Sequence, residues 1–310
     1  MLDFNNILST PGMDVQYFSG QSTATLTQWQ TWRKPRGVKN IYMIGVGGGS
    51  SGAVSSNAAA SNAGGGGGGS GAQTCVWIPA FFVPDTLYVQ CGAGGRQPAV
   101  LVSAATQVGG VPTYIAIEPS TTLTANMTLL VANGGASGAV TGGTVATIAG
   151  MPLAARGYYT FFVGQSGTAG GAVNTASNAV TYPVTGLMVM GGAGGGGSSG
   201  SSLGGGAGGG FTVPAGSPIN DFFLPTYAGG SAPSAGASDT GRAGAVMKNF
   251  IMNYGGAGGG GEGLTSGPAA GGGGDGAPGS GGGGAGGSTL SATLARPGNG
   301  GDGFVIIMSW

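Results

Sequence analysis

Between residues 255 and 287, 20 of 33 residues are glycine, and only Glu262 and Asp275 are charged. Glycine has no Cβ and loses more backbone freedom on folding than any other residue, so helix and strand interiors avoid it. Two shorter stretches, 45–71 and 191–210, repeat this character, and the runs 64–69 and 281–284 are unbroken glycine. Two physical states can hold such runs. One is a flexible linker. The other is an extended helix of three residues per turn, of the polyproline II kind, packed beside others so that bare backbones hydrogen-bond between neighbours. The strict third-residue glycine of collagen is not met, because the register that starts at Gly255 runs through Leu264, Ala270 and Ala285.

The flanks decide between the two states. Short apolar runs lead repeatedly into glycine: Ile41-Tyr42-Met43-Ile44 into Gly45, Leu87-Tyr88-Val89 towards Gly92, and Leu129-Leu130-Val131 towards Gly134. The same order recurs at Phe161-Phe162-Val163, at Leu187-Met188-Val189-Met190 and at residues 250–254, and the chain closes on Phe304-Val305-Ile306-Ile307-Met308-Ser309-Trp310. Several of these runs are apolar at consecutive positions, which suits strands covered on both faces. The strands are too short to be domains, so they must meet, and the glycine segments between them must then lie side by side. The expected fold is mainly β and irregular, combining short buried strands with packed glycine-rich polyglycine II helices and almost no α-helix. Residues 1–40 are expected to form an attachment segment, and 41–310 a glycine-rich domain.

Composition excludes several classes. Hydrophobic residues make up 40% of the chain and charged residues 6%, with zero net charge, unlike disordered chains, which are poorly hydrophobic and highly charged. No apolar run approaches the roughly 18 residues needed to cross a bilayer, so membrane insertion is not expected. The opening Met1-Leu2-Asp3-Phe4-Asn5-Asn6 lacks the basic and apolar regions of a signal peptide, and synthesis in a cytoplasm is the expectation.

The sequence is poor in chemistry. Absence of histidine removes histidine bases, histidine triads and most zinc sites. Seven aspartates and two glutamates are scattered without the spaced pair of a glycosidase. Gly47-Gly48-Gly49-Ser50-Ser51-Gly52 fits the dinucleotide-binding G-x-G-x-x-G after an apolar strand, but no helical face follows, and a hexaglycine stands where a second strand ending in an acid is needed. No catalytic, metal-binding or cofactor-binding residue is assigned, and no enzyme activity is expected.

Cys75 and Cys91 are the only cysteines. If the strand-like pieces that carry them pair antiparallel around Val83, their sulfurs face each other and a disulfide can form. The other reading, two free thiols packed in a sheet, is favoured by cytoplasmic synthesis. Near the start, Trp29 and Trp32 stand beside Arg33, Lys34 and Arg36, an aromatic and basic group that suits either attachment on an acidic partner or a solvated basic turn beside a buried Trp. So few basic residues do not make the broad face that nucleic acid requires.

Trp32-Arg33-Lys34-Pro35-Arg36-Gly37, the strand into Gly45-Val46-Gly47-Gly48-Gly49, and the segment 78–89 leading to Gly92-Ala93-Gly94-Gly95 together resemble the glycine-rich virion proteins of tailed bacteriophages. The close, from Gly300-Gly301-Asp302-Gly303 through Trp310, is similar to theirs. More loosely, the chain resembles the distal tail-fibre adhesins of T-even-like phages, in which polyglycine II helices carry receptor-binding loops. The resemblance implies a non-enzymatic virion surface protein, a tail-fibre or tail-tip adhesin that binds other virion proteins and a host polysaccharide or outer-membrane protein, with homo-oligomers common among such fibres. Receptor contact is then expected at the interruptions of the glycine tracts, at Leu264, Thr265, Ser266 and Asp275. The alternative is a head-decoration or minor capsid protein that binds only other virion proteins.

Overall fold

The apolar runs form strands, and each strand's neighbours are set by which of its faces must be covered. A computed structural model describes residues 12–20, 28–54, 63–97, 108–120, 127–136, 158–172, 175–181, 189–196, 207–212, 255–256, 270–287 and 295–310. The strands are β1 (Asp14–Ser19), β2 (Trp29–Arg33), β3 (Asn40–Val46), β4 (Gln73–Pro79), β5 (Thr86–Gln90), β6 (Thr113–Ala116) and β7 (Thr128–Ala132). They continue with β8 (Tyr158–Phe162), β9 (Val180–Thr181), β10 (Phe211–Thr212) and β11 (Phe304–Ser309).

A five-stranded sheet runs β1-β11-β3-β4-β8 and a four-stranded sheet runs β2-β5-β6-β7, with every neighbouring pair antiparallel. The short β9 and β10 pair parallel to each other. β3 and β4 touch β6 and β7, so the two larger sheets pack face to face. Between them lie Trp32, Ile41, Met43, Val76, Leu87, Val89, Ile115, Leu130, Val305 and Ile307 in one buried cluster. The other face of the five-stranded sheet carries Ile44, Val46, Cys75, Phe304 and Ile306, joined by Val189. Consecutive apolar residues in β3, β4 and β11 are thus divided between two apolar environments, because alternate side chains of a strand point to opposite faces.

The expected fold class needs correction. Packed polyglycine II helices are not its elements: among the described residues the regular structure is eleven strands and one 3-10 turn, Ala80–Phe82, with no α-helix, and the glycine segments carry no helix of their own. Regular structure follows the side chains here. A strand with apolar side chains gains by burying them on two faces, whereas a glycine segment has none to place and takes its course from the strand ends it joins.

Those strand ends all lie at one side of the sandwich. Gly47 follows β3, Gly71 precedes β4, Gly92 follows β5, Gly110 precedes β6, Gly134 follows β7, Gly164 follows β8 and Gly303 precedes β11. The emerging backbones are largely buried and satisfy one another. Successive donors from Gly48 to Ala53 bond to the carbonyls of Val111, Gly301, Gly69, Val108, Gly298 and Gly66, at 2.8–3.1 Å. One segment is therefore flanked by three others, and its amides have the partners that burial demands. A Cβ added at Gly49, Gly52 or Gly67 would meet the carbonyl oxygen of Ser280, Gly283 or Gly192. Glycine is required because neighbouring backbones occupy the space of a side chain.

Candidate functional site

Where β1 and β11 meet the glycine segments, the surface opens into a cleft of about 270 Å3, lined by Tyr17, Ser19, Arg96, Asp275, Asn299 and Asp302 over glycine backbone. One wall is a tight turn. Ser280 N–H donates to Ala277 C=O at 2.8 Å across Pro278 and Gly279, and Gly279 has φ of 74°. Proline before a positive-φ glycine is the chemistry of a type II turn, and it sets Asp275 at the exposed rim. The opposite wall is the approach to β11. Gly300 and Gly301 press against the backbones of Gly49 and Ala277, where a Cβ would collide, and this fixes the Asn299 and Asp302 side chains at the cleft.

The polar groups are largely pre-oriented. Arg96 Nη2 donates to both carboxylate oxygens of Asp302 at 3.1 Å, and Gly94 N–H donates to Asp302 Oδ1 at 2.8 Å. Asn299 donates from its backbone N–H at 2.7 Å and from Nδ2 at 3.1 Å, both to Asp275 Oδ1. Its own Oδ1 accepts from Gln97 N–H at 3.1 Å. Arg96 Nε is buried without a hydrogen-bond partner, an uncommon state, while Nη2 is taken up by Asp302 and the side chain stays about one-third exposed. Tyr17 contributes an aromatic wall, its ring tilted against Phe304 at 5.8 Å.

Burial pushes the Tyr17 hydroxyl from 10 up to about 12, with the Cys91 thiol adding repulsion. Burial likewise pushes the Cys91 thiol from 9 up to about 12, with a smaller lowering by a backbone hydrogen bond from Val305. Both groups are neutral acids whose folded pKa exceeds the unfolded one. Their contribution to stability is therefore complete below pH about 9 and is lost as pH rises towards about 12. The urea unfolding midpoint is expected to be flat from mildly acidic to neutral pH and to fall in the alkaline range, with Tyr17→Phe reducing the fall. An alkaline midpoint equal to the neutral one would contradict this burial.

A second surface lies at the opposite end of the sandwich. Val15, Met308, Tyr42, Trp77 and Tyr158 form one register row across the five-stranded sheet, so their side chains share a face. Tyr158 is 76% exposed and its ring packs on Trp77 at 5.4 Å. At the same end the 3-10 turn presents Phe81, 78% exposed, against Phe82, and Trp310 is also exposed. The backbone ties these to the basic entry. Ala80 N–H donates to Lys39 C=O, Lys39 N–H donates to Trp310 C=O, and Lys34 Nζ donates to Val83 C=O at 2.7 Å and pairs with Asp85 at 2.9 Å.

The chain matches no family model and no curated protein. No motif in this β-rich fold ties it to phage virions, tail fibres or glycine-rich adhesins, and the description as polyglycine II falls with the helices. Among the described residues, no group of three or more His, Cys, Asp or Glu could hold a metal ion, and no helix is long and apolar enough to cross a membrane.

Of the attachment residues read from sequence, Arg33 and Arg36 are exposed, Trp29 is half-buried and Lys34 is engaged in the pairing above. Trp32 is wholly buried between the sheets. β1 and β2, within residues 1–40, pair with β11 and β5. Leu264, Thr265 and Ser266 lie outside the described residues, whereas Asp275 stands at the cleft. Cys75 and Cys91 are free thiols. The disulfide needed β4 and β5 to pair, but these strands belong to different sheets, and the two cysteines fall in different apolar clusters. Sequence reasoning missed Tyr17, Arg96, Asn299 and Asp302. The one signal available was a charged Asp302 inside Gly300-Gly301-Asp302-Gly303 in a chain with so few charges.

Proposed function

We propose that this chain is a non-enzymatic virion surface protein of a tailed phage, a tail-fibre or tail-tip adhesin that binds other virion proteins at one end and a host receptor at the other. One observation supports the reading beyond the sequence resemblance: two chemically distinct surfaces stand at opposite ends of the β-sandwich. The end bearing Phe81, Phe82, Trp310, Arg33, Arg36 and Lys39 is aromatic and basic, with the exposed side chains that serve protein contacts. The polar cleft lies across the sandwich, beside the glycine segments. Between them the two packed sheets leave little freedom, which suits a part that must hold a recognition surface at a fixed distance from its anchor.

Quantitative mass spectrometry of purified particles against the major capsid protein tests this reading. A handful of copies, with adsorption lost when antibody covers the protein, is the expected result. Hundreds of copies would replace it with head decoration, and absence from particles would remove the virion reading altogether.

A further inference from the structure

We infer that the cleft between Tyr17, Arg96, Asp275 and Asn299 binds a neutral saccharide unit. The inference deepens the adhesin reading and rests on it for its biological setting; its chemistry rests on the cleft alone. In a chain with 6% charged residues, three charged side chains line this one cleft. Two of them neutralise each other, since Arg96 is bound to both oxygens of Asp302. The third, Asp275, uses Oδ1 for Asn299, while its Oδ2 has no hydrogen-bond partner among the described residues.

This balance selects the ligand. A phosphate or carboxylate entering the cleft would face Asp275 and Asp302, with only one guanidinium, already occupied by Asp302, to offset them. A divalent cation would face Arg96 and would find Asp302 satisfied by Gly94 and Arg96. A neutral polyol meets neither objection. Its hydroxyl groups donate to Asp275 Oδ2, and their oxygens accept from Arg96 Nη1, which no hydrogen bond within the described residues occupies on this partly exposed side chain, the two roles that a hydroxyl fills at once. The apolar face of the sugar ring can rest on the Tyr17 wall. The volume, about 270 Å3, falls just below the roughly 300–1,000 Å3 usual for small-molecule sites, so it accommodates one sugar unit of a longer glycan, with the chain continuing into solvent past the exposed Asp275.

The test uses the purified full-length chain and a panel of free sugars, glucose, galactose, mannose and N-acetylglucosamine, followed by saturation-transfer NMR and calorimetric titration. Calcium chloride and inorganic phosphate serve as competing probes. At least one sugar is expected to bind saturably in the millimolar range. Asp275→Ala should weaken it about tenfold, the change that loss of roughly 1.4 kcal/mol produces. Asp275→Asn keeps an acceptor for Asn299 but turns the free oxygen into a donor; it should weaken binding similarly while leaving the melting temperature unchanged. No saturable sugar binding, sugar binding unaffected by both variants, or calcium or phosphate binding that Asp275→Ala abolishes would each overturn the assignment. Sugar binding by a protein absent from particles would leave the cleft assignment standing and sink the adhesin reading. Adsorption that depends on the protein without any sugar binding would do the reverse.

Discussion

Alanine at Gly281 is expected to destabilise the protein by about 3 kcal/mol or more, the upper part of the range for over-packing a filled interior. At roughly 2–4 °C per kcal/mol for chains of this scale, the melting temperature should fall on the order of 6–12 °C. The reason is local and specific. The new methyl group would run into the carbonyl of Gly68 and lie 2.8 Å from the amide of Gly192, two groups that bond to each other at 2.7 Å. Backbone cannot rotate away as a flexible side chain can, so the neighbouring segments must separate and their hydrogen bonds lengthen. Gly37→Asn is the matched control. Gly37 has φ of 81° with nothing within 4 Å of its added Cβ, and asparagine tolerates that conformation better than other residues, so its loss should stay under about 1 kcal/mol. Thermal unfolding of both variants by circular dichroism decides the matter. If Gly281→Ala melts with the parent, the glycine segments are not packed as described.

Truncation after Gly303 is expected to abolish folding. β11 lies between β1 and β3 in the five-stranded sheet, and Phe304, Val305, Ile306 and Ile307 are each 0% exposed. Val305 and Ile307 enter the cluster between the sheets, while Phe304 and Ile306 enter the cluster on the outer face. Each such side chain contributes about 2–5 kcal/mol when truncated to alanine, so the loss of four exceeds the roughly 5–15 kcal/mol by which domains are stable. Phe304→Ala gives the graded version, with an expected loss of about 3–5 kcal/mol. Gel filtration and circular dichroism of the truncated chain provide the readout: aggregate without cooperative melting is expected, and a soluble, cooperatively folded product would show that β11 is not a core strand.

Strand positions were legible in the sequence because their signal is local. Ile41 to Ile44, Leu87 to Val89, Leu129 to Val131 and Phe304 to Ile307 are apolar runs bounded by glycine, and each falls on a strand. The side-by-side course of the glycine segments could be argued as well, since short strands that meet leave their connections nowhere else to run. Their conformation could not. Residues without side chains carry no periodic pattern, so the expected helices were an inference from what isolated glycine backbones do, and here the partners of each amide are chosen by neighbours far along the chain.

The cleft shows the same division in its strongest form. Asp275 was singled out in the sequence as an interruption of a glycine tract, but Arg96 meets Asp302 across 206 positions, and neither residue's local sequence names the other. Trp32 beside arginine and lysine reads equally as an anchor or as a buried Trp next to a solvated basic turn, and the alternation of β2 decides it, turning Trp32 inward and Arg33 outward. Where strands form, where side chains are forbidden and which chemistries are missing can all be read along the chain, because these depend on residue type and nearest neighbours. Which strands share a sheet, which carbonyl fills the space beside each glycine, and which of the few charges converge cannot be read that way, because they are set by contacts that the chain makes once it has closed on itself.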